Sequence, residues 1–143
     1  MRVAVVGATG AVGREIVRIL EERSFPVDQL VLLASPRTAG TRLRFRGDEH
    51  EVAVLEPERL EGVDVALSSC GSSVAREWIP RAAAEGTFCI DNSSAFRMDP
   101  GAALTIPEVN PESLAGKPRI VAGDWGGSGP KRWFAGGQPS GNA

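Results

Sequence analysis

Val3-Ala4-Val5-Val6-Gly7-Ala8-Thr9-Gly10-Ala11-Val12-Gly13 is the stretch from which the rest of the chain can be read. Arg2–Val6 is short, rich in β-branched residues and stopped at once by glycine, so it reads as a buried strand. Beyond the glycines, Val12, Ile16, Val17 and Leu20 recur at helical spacing, with Arg14, Glu15, Arg18, Glu21 and Glu22 on the other face. That pattern predicts a helix over 11–22. Between the two lies G-x-x-G-x-x-G rather than the commoner G-x-G-x-x-G. Glycines there permit a tight turn and close backbone approach, and the last lets the helix pack on the strand. The amides of the loop and first helical turn would then face a pyrophosphate at the positive end of the helix dipole. A glycine-rich turn without a ligand has the same composition. The strand before it and the helix after it favour the nucleotide reading.

The chain continues in the same alternation as far as residue 122. Gln29–Ala34 reads as a second buried strand, and Ser24-Phe25-Pro26 breaks the helix before it. Segments 41–45 and 51–54 flank Arg46-Gly47-Asp48-Glu49, which predicts a hairpin turning at Gly47-Asp48. A short helical turn is expected at Pro57–Leu60, strands over 63–68, 87–90 and 120–122, and a helix over 74–85 capped by Gly86. Segment 100–118 is Pro-rich and reads as irregular. Strands alternating with helices predict an α/β fold, Rossmann-like, with a mostly parallel sheet and helices on both faces.

Composition limits the function classes. In 143 residues, 16 Lys+Arg stand against 18 Asp+Glu, leaving no surplus of positive charge to neutralise nucleic-acid phosphates. The apolar runs are strand-length, so no membrane span is expected. The opening lacks a basic-then-apolar leader, and two cysteines in such a chain read as reduced thiols, which predicts a cytoplasmic setting. No metal-ligand pattern is expected. Seven of the 17 glycines lie in residues 123–143, a segment with no Val, Ile or Leu. Such a stretch has no aliphatic core face to contribute. The expected division is therefore a dinucleotide-binding domain over 1–122 and a divergent, disordered, irregular Gly-rich tail over 123–143.

The end of the second strand bears on which dinucleotide is bound. An NAD site usually has an acid there, whereas this chain has Ala34-Ser35-Pro36-Arg37-Thr38. A guanidinium and two hydroxyls suit a 2′-phosphate, which a carboxylate would repel. Asp28 lies before the strand, at the wrong end. NADP is the expected cofactor, held by Gly7, Thr9, Gly10, Ala11, Val12, Gly13, Ser35, Arg37, Thr38 and Gly71. Gly71 belongs to Ser68-Ser69-Cys70-Gly71-Ser72-Ser73, which follows another parallel strand and opens at the same sheet edge. Cys70 lies in this loop, but nothing places the sole histidine, His50, beside it, so it reads as a small loop residue. Cys89, between Phe88 and Ile90, reads as a buried apolar side chain. Asn92 and Arg97 follow the next strand. Their amide and forked cation suit a phosphate or carboxylate, and equally a loop cap with Arg97 paired to Asp91 or Asp99.

The pattern as a whole resembles bacterial aspartate-semialdehyde dehydrogenase. The resemblance is carried by 3–13, by Leu33-Ala34-Ser35-Pro36-Arg37-Thr38-Ala39-Gly40, by Ser69-Cys70-Gly71-Ser72-Ser73, by Asp91-Asn92-Ser93-Ser94-Ala95-Phe96-Arg97-Met98 and by Pro107-Glu108-Val109-Asn110-Pro111. It implies reductive dephosphorylation of aspartyl phosphate by NADPH to aspartate semialdehyde, for lysine, threonine and methionine synthesis. It also implies that Thr9 to Val12 line the pyrophosphate, that Arg37 and Thr38 meet the 2′-phosphate, and that Arg97 holds the departing phosphate. An acyl phosphate is the implied small-molecule partner.

The resemblance stops at residue 122. In the family the strand here represented by Ile120-Val121-Ala122 leads into Asn-Pro-Asn-Cys-Ser-Thr, whose cysteine attacks the acyl phosphate. Here Gly123-Asp124-Trp125-Gly126-Gly127-Ser128 follows. No catalytic residue is assigned, and the family's second domain and most of its dimer surface have no counterpart. The expectation is a truncated dehydrogenase with a replaced C-terminus, binding cofactor without catalysing. A non-catalytic nucleotide-binding or regulatory module is the alternative, and a fragment related to N-acetyl-glutamyl-phosphate reductase is a third. The Asp-Asn-Ser-Ser-Ala-Phe-Arg motif favours the aspartate enzyme over that third reading.

Overall fold

The computed structural model describes residues 1–93, 103–105 and 120–123. In chain order the elements are β1 (Arg2–Val6), α1 (Ala11–Glu22), β2 (Gln29–Ala34), β3 (Arg42–Phe45), β4 (Asp48–Glu51) and β5 (Ala53–Val54). A 3₁₀ turn at Pro57–Leu60 follows, then β6 (Val65–Ser68), α2 (Ser72–Ala84), β7 (Phe88–Asp91), β8 (Ala103–Thr105) and β9 (Ile120–Gly123). Seven strands form one sheet in the order β5-β2-β1-β6-β7-β9-β8, every adjacent pair parallel. This is the expected Rossmann-like α/β architecture. The tail beyond residue 123, with its expected disorder, lies outside the described residues, as do Arg97 and the Pro107–Pro111 motif.

β1 sits at the centre because it can be buried on both faces. Val3 and Val5 pack with Ile16, Val17 and Leu20 of α1 and with Leu32. Ala4 and Val6 pack on the opposite face with Ala75, Trp78, Ile79 and Ala82 of α2. Val3, Ala4, Val5 and Val6 are all fully buried. A strand without a solvent face reads as a continuous apolar run, as parallel central strands do.

Both helices stop by the same device. Phe25 N–H donates to Leu20 C=O (3.0 Å) and Ser24 N–H to Glu21 C=O (3.1 Å), with Ser24 at φ 51°. At the end of α2, Thr87 N–H donates to Ala82 C=O (3.0 Å) and Gly86 N–H to Ala83 C=O (3.1 Å), with Gly86 at φ 104°. These are Schellman closures, which put one residue in the left-handed region and satisfy the last helical carbonyls.

Three expectations need correction. The hairpin is formed by β3 and β4 and turns at Arg46-Gly47, not Gly47-Asp48. Both turn residues have positive φ (54° and 86°), the backbone of a turn that matches strand twist. Arg46 tolerates this because its guanidinium donates to Val27 C=O (2.9 Å) and to Phe25 C=O while lying over the Phe45 ring. Residues 53–54 leave the hairpin and join the main sheet beside β2, with Leu33 opposite Ala53. Segment 100–118 also holds β8, too short and too Pro-flanked to show a strand period. The remaining changes are end shifts: β6 starts at Val65 instead of 63, α2 runs over Ser72–Ala84 instead of 74–85, β7 over Phe88–Asp91 instead of 87–90, and β9 ends at Gly123 instead of 122.

Candidate dinucleotide site

Strand register brings the candidate residues to one edge. Leu33, Val6, Ser68, Asp91 and Ala122 stand side by side across five strands. The loops that follow β2, β1, β6 and β7 therefore leave the sheet from one row, at its carboxyl end. The chain runs outward from β1 through β2 to β5, then returns to β6 on the other side of β1. In open α/β sheets ligands bind at such a reversal of strand order.

The glycines of this edge divide into two kinds. Gly7 has φ 86°, and a Cβ there would meet Ser69 Oγ at 2.9 Å and Cys70 N at 3.0 Å. A Cβ on Gly13 would lie 2.1 Å from Gly7 O and 2.7 Å from Ala8 Cα. Both positions are closed to any side chain, because the β1 loop is pressed between the β6 loop and the first turn of α1. Gly10 and Gly71 are different. A Cβ on Gly10 meets nothing nearer than 3.7 Å, and one on Gly71 nothing within 4 Å. These exposed residues are the N-caps of α1 and α2.

Neither helix start has a side-chain cap or an acid in its first turn. The unpaired amides of a helix start are ordinarily capped by an oxygen, and the dipole there favours negative charge. Two such starts, with open glycines in front of them, flank the β1–β6 crevice. The arrangement fits the phosphates of a dinucleotide, whose backbone contacts need close approach and no competing carboxylate.

The β2 loop is joined to the β1 loop. Thr9 Oγ1 and Thr38 Oγ1 are 2.9 Å apart, sharing a hydrogen bond. Thr38 N–H and Ala39 N–H both donate to Ser35 C=O (3.1 and 3.0 Å), which curls the chain so that Ser35 and Arg37 are exposed. Asp28, at the far end of β2, is bonded to the amino group of Met1, which lowers its pKa. Thr9 and Thr38 lie 29 residues apart in the sequence, and their contact is a tertiary fact. Arg14, expected on the helix face opposite the apolar positions, also reaches the β1 loop. Arg14 Nε donates to Thr9 C=O (3.0 Å).

Asp91 is fully buried, its carboxylate accepting from Ser93 N–H (3.1 Å) and Ser93 O–H (2.6 Å). Asn92 is half-buried, its N–H donating to Ser68 C=O (3.0 Å), which holds the start of the β7 loop against β6. Cys70 Sγ lies 3.2 Å from Ser68 Oγ and accepts from Trp78 Nε1 at 3.5 Å. His50 lies on β4, edge-on to Phe45 with ring centroids 6.0 Å apart. Burial, with a smaller effect from Asp91, pushes the Cys89 thiol up to about 12, far from thiolate chemistry at neutral pH.

Among the described residues no group of three His, Cys, Asp or Glu side chains gathers to hold a metal, and no helix is long and apolar enough to cross a membrane. A groove of about 360 Å³ lies between α1 and β3, lined by Arg14, Arg18, Glu21 and Arg44 among others.

Comparison with known proteins agrees with this geometry. The family model for the semialdehyde dehydrogenase NAD-binding domain matches residues 2–117. Aspartate-semialdehyde dehydrogenase of Aquifex aeolicus is 54% identical over 114 residues, 79% of this chain and 34% of that protein. The Bacillus subtilis enzyme is 48% identical over 122 residues, 85% of this chain and 35% of that one. The crystal structure of Vibrio cholerae aspartate-semialdehyde dehydrogenase II complexed with ASA superposes with a TM-score of 0.77 at 42% identity, covering 85% of this chain and 40% of that one. The chain spans about a third of the length of the curated relatives it matches. With most of its residues matched by that model, the chain belongs to the semialdehyde dehydrogenase NAD-binding domain family.

Proposed function

We propose that residues 1–122 bind NADP and form the cofactor-binding part of an aspartate-semialdehyde dehydrogenase, an enzyme reducing aspartyl phosphate. The observation that carries the reading is the pair of uncapped, acid-free helix starts behind Gly10 and Gly71, with Arg37 at the end of β2 in place of an acid. The loop amides and the first turn of α1, over Thr9 to Gly13, take the pyrophosphate. Ser35, Arg37 and Thr38 take the 2′-phosphate. A bound nicotinamide supplies hydride exchange, and the chain's own residues supply position: Gly7 and Gly13 set the loop's height, and Gly71 leaves room beside it. In the β7 loop, Asn92 and Arg97 hold the phosphate of the acyl substrate.

Neither cysteine suits a covalent step. Cys89 is sealed, and among the described residues no base stands beside Cys70. Residues 123–143 contain no cysteine. The 143-residue chain supplied with NADPH and an acyl phosphate is therefore expected to show no turnover. Calorimetric titration tests the binding reading. NADP+ should bind at least about tenfold more tightly than NAD+, the scale of one charge-assisted phosphate contact. Arg37→Ala should reduce that preference about tenfold. Equal affinity for the two dinucleotides in the unaltered chain would reject it.

A further inference from the structure

Arg14 breaks a local rule. It is the fourth residue of α1, close to the positive end of the helix dipole, where an acid would be favoured and a cation is not. Charges placed against helix stability are found at functional sites more often than elsewhere. Its side chain leans back toward the helix start, as helical side chains do, and Nε donates to Thr9 C=O at 3.0 Å. That leaves the Nη end of the guanidinium without a carboxylate among the described residues. Arg18, one turn along, is instead occupied by Glu15 and Glu22.

Thr9 links Arg14 to the 2′-phosphate side of the site. Its carbonyl holds Arg14, and its hydroxyl meets that of Thr38 at 2.9 Å. Thr38 is in turn bonded to Ser35 C=O, across the turn that carries Arg37. One threonine thus has Arg14 on one side and the Ser35–Thr38 turn on the other. We propose that Arg14 is a second cation for the 2′-phosphate of NADP, gripping it from the helix side while Arg37 grips it from the β2 side. This rests on the NADP reading above. Two guanidiniums on a dianionic phosphate separate NADP from NAD more sharply than one, because each adds a charge-assisted contact that NAD has no group to receive.

The test is titration of the 143-residue chain with NADP+ and NAD+, comparing the unaltered protein with Arg14→Gln and Arg14→Lys. Glutamine keeps a donor for Thr9 C=O and removes the charge, and lysine keeps the charge. Arg14→Gln should weaken NADP+ about tenfold while leaving NAD+ within about twofold. Arg14→Lys should restore part of the preference. An equal loss for both dinucleotides would make Arg14 only a brace for Thr9 and overturn the proposal. No change for either would overturn it as well. If the unaltered chain does not prefer NADP+, this inference falls together with the NADP reading. If it does prefer NADP+ and the Arg14 variants do not differ from it, this inference alone falls. NAD+ affinity also shows that each variant is folded.

Discussion

The two helix starts at the crevice use one backbone device under different packing. Each follows a central parallel strand, and each begins behind an uncapped glycine, Gly10 for α1 and Gly71 for α2. Three residues past the cap they part: α1 has Gly13, pressed on Gly7 C=O, and α2 has Val74, 37% exposed. The first helix lies against its own entry loop, and the second stands clear. On the proposed reading, a phosphate-facing helix start thus needs open space only in front of the cap. The further glycine is a packing requirement of one helix, not of phosphate binding.

The largest effect should come from closing the tight start. In Gly13→Ala the new Cβ meets backbone that cannot rotate away. The variant should lose about 3 kcal/mol or more, at the upper end of overpacking costs, together with dinucleotide binding. Denaturant unfolding measures the first and calorimetry the second. Unchanged stability would end the distinction between the two starts. The matching change in the loose start, Gly71→Ala, should leave the unfolding midpoint nearly unaltered and weaken NADP+ severalfold, because its methyl points into the space left for ligand. A large loss of stability there would mean the second start is crowded too.

The thiols give a second contrast, one of burial: Cys70 is half-buried and Cys89 is buried. Native protein at pH 8 should show one thiol reactive toward a disulfide reagent, Cys70, and a second only in denaturant. Cys89 ionises near its ordinary 9.0 when unfolded but near 12 when folded, so the folded state holds the proton longer. Its contribution to stability is complete below pH 9 and is lost as pH rises from 9 to 12. Cys89→Ala should flatten the alkaline fall in unfolding free energy across that window. The smallest expected effect lies at the helix ends. Ser24→Gly should gain about 0.5–1 kcal/mol by relieving a left-handed serine, and Gly86→Ala should lose about as much.

Much of this was legible in sequence for reasons that differ by element. Ala11–Glu22 and Gln29–Ala34 match their expected ranges because a helical period and an unbroken β-branched or aliphatic run are local signals. Gly86 was legible because the left-handed residue of a Schellman closure is most often glycine, whereas Ser24, doing the same for α1, gave no such signal. The hairpin turn differs by one residue from its expected place because Arg46, which adopts positive φ, does so on carbonyls supplied from residues 25 and 27. Arg14 was hidden for a similar reason. On a helical wheel it is one more solvated charge, and only its bond to Thr9 distinguishes it.

By itself the amino-acid order determined the alternation of strands and helices, the glycine loop, and the absence of an acid after β2, since each depends on neighbours a few residues apart. Tertiary structure decided which glycines are sterically required, which hydroxyls meet across the edge, and which arginine turns toward the phosphate loop. Those depend on the register that sets Val6 beside Leu33 and Ser68. Register is a property of paired strands, and residues as far apart as Thr9 and Thr38 become neighbours only once it is set.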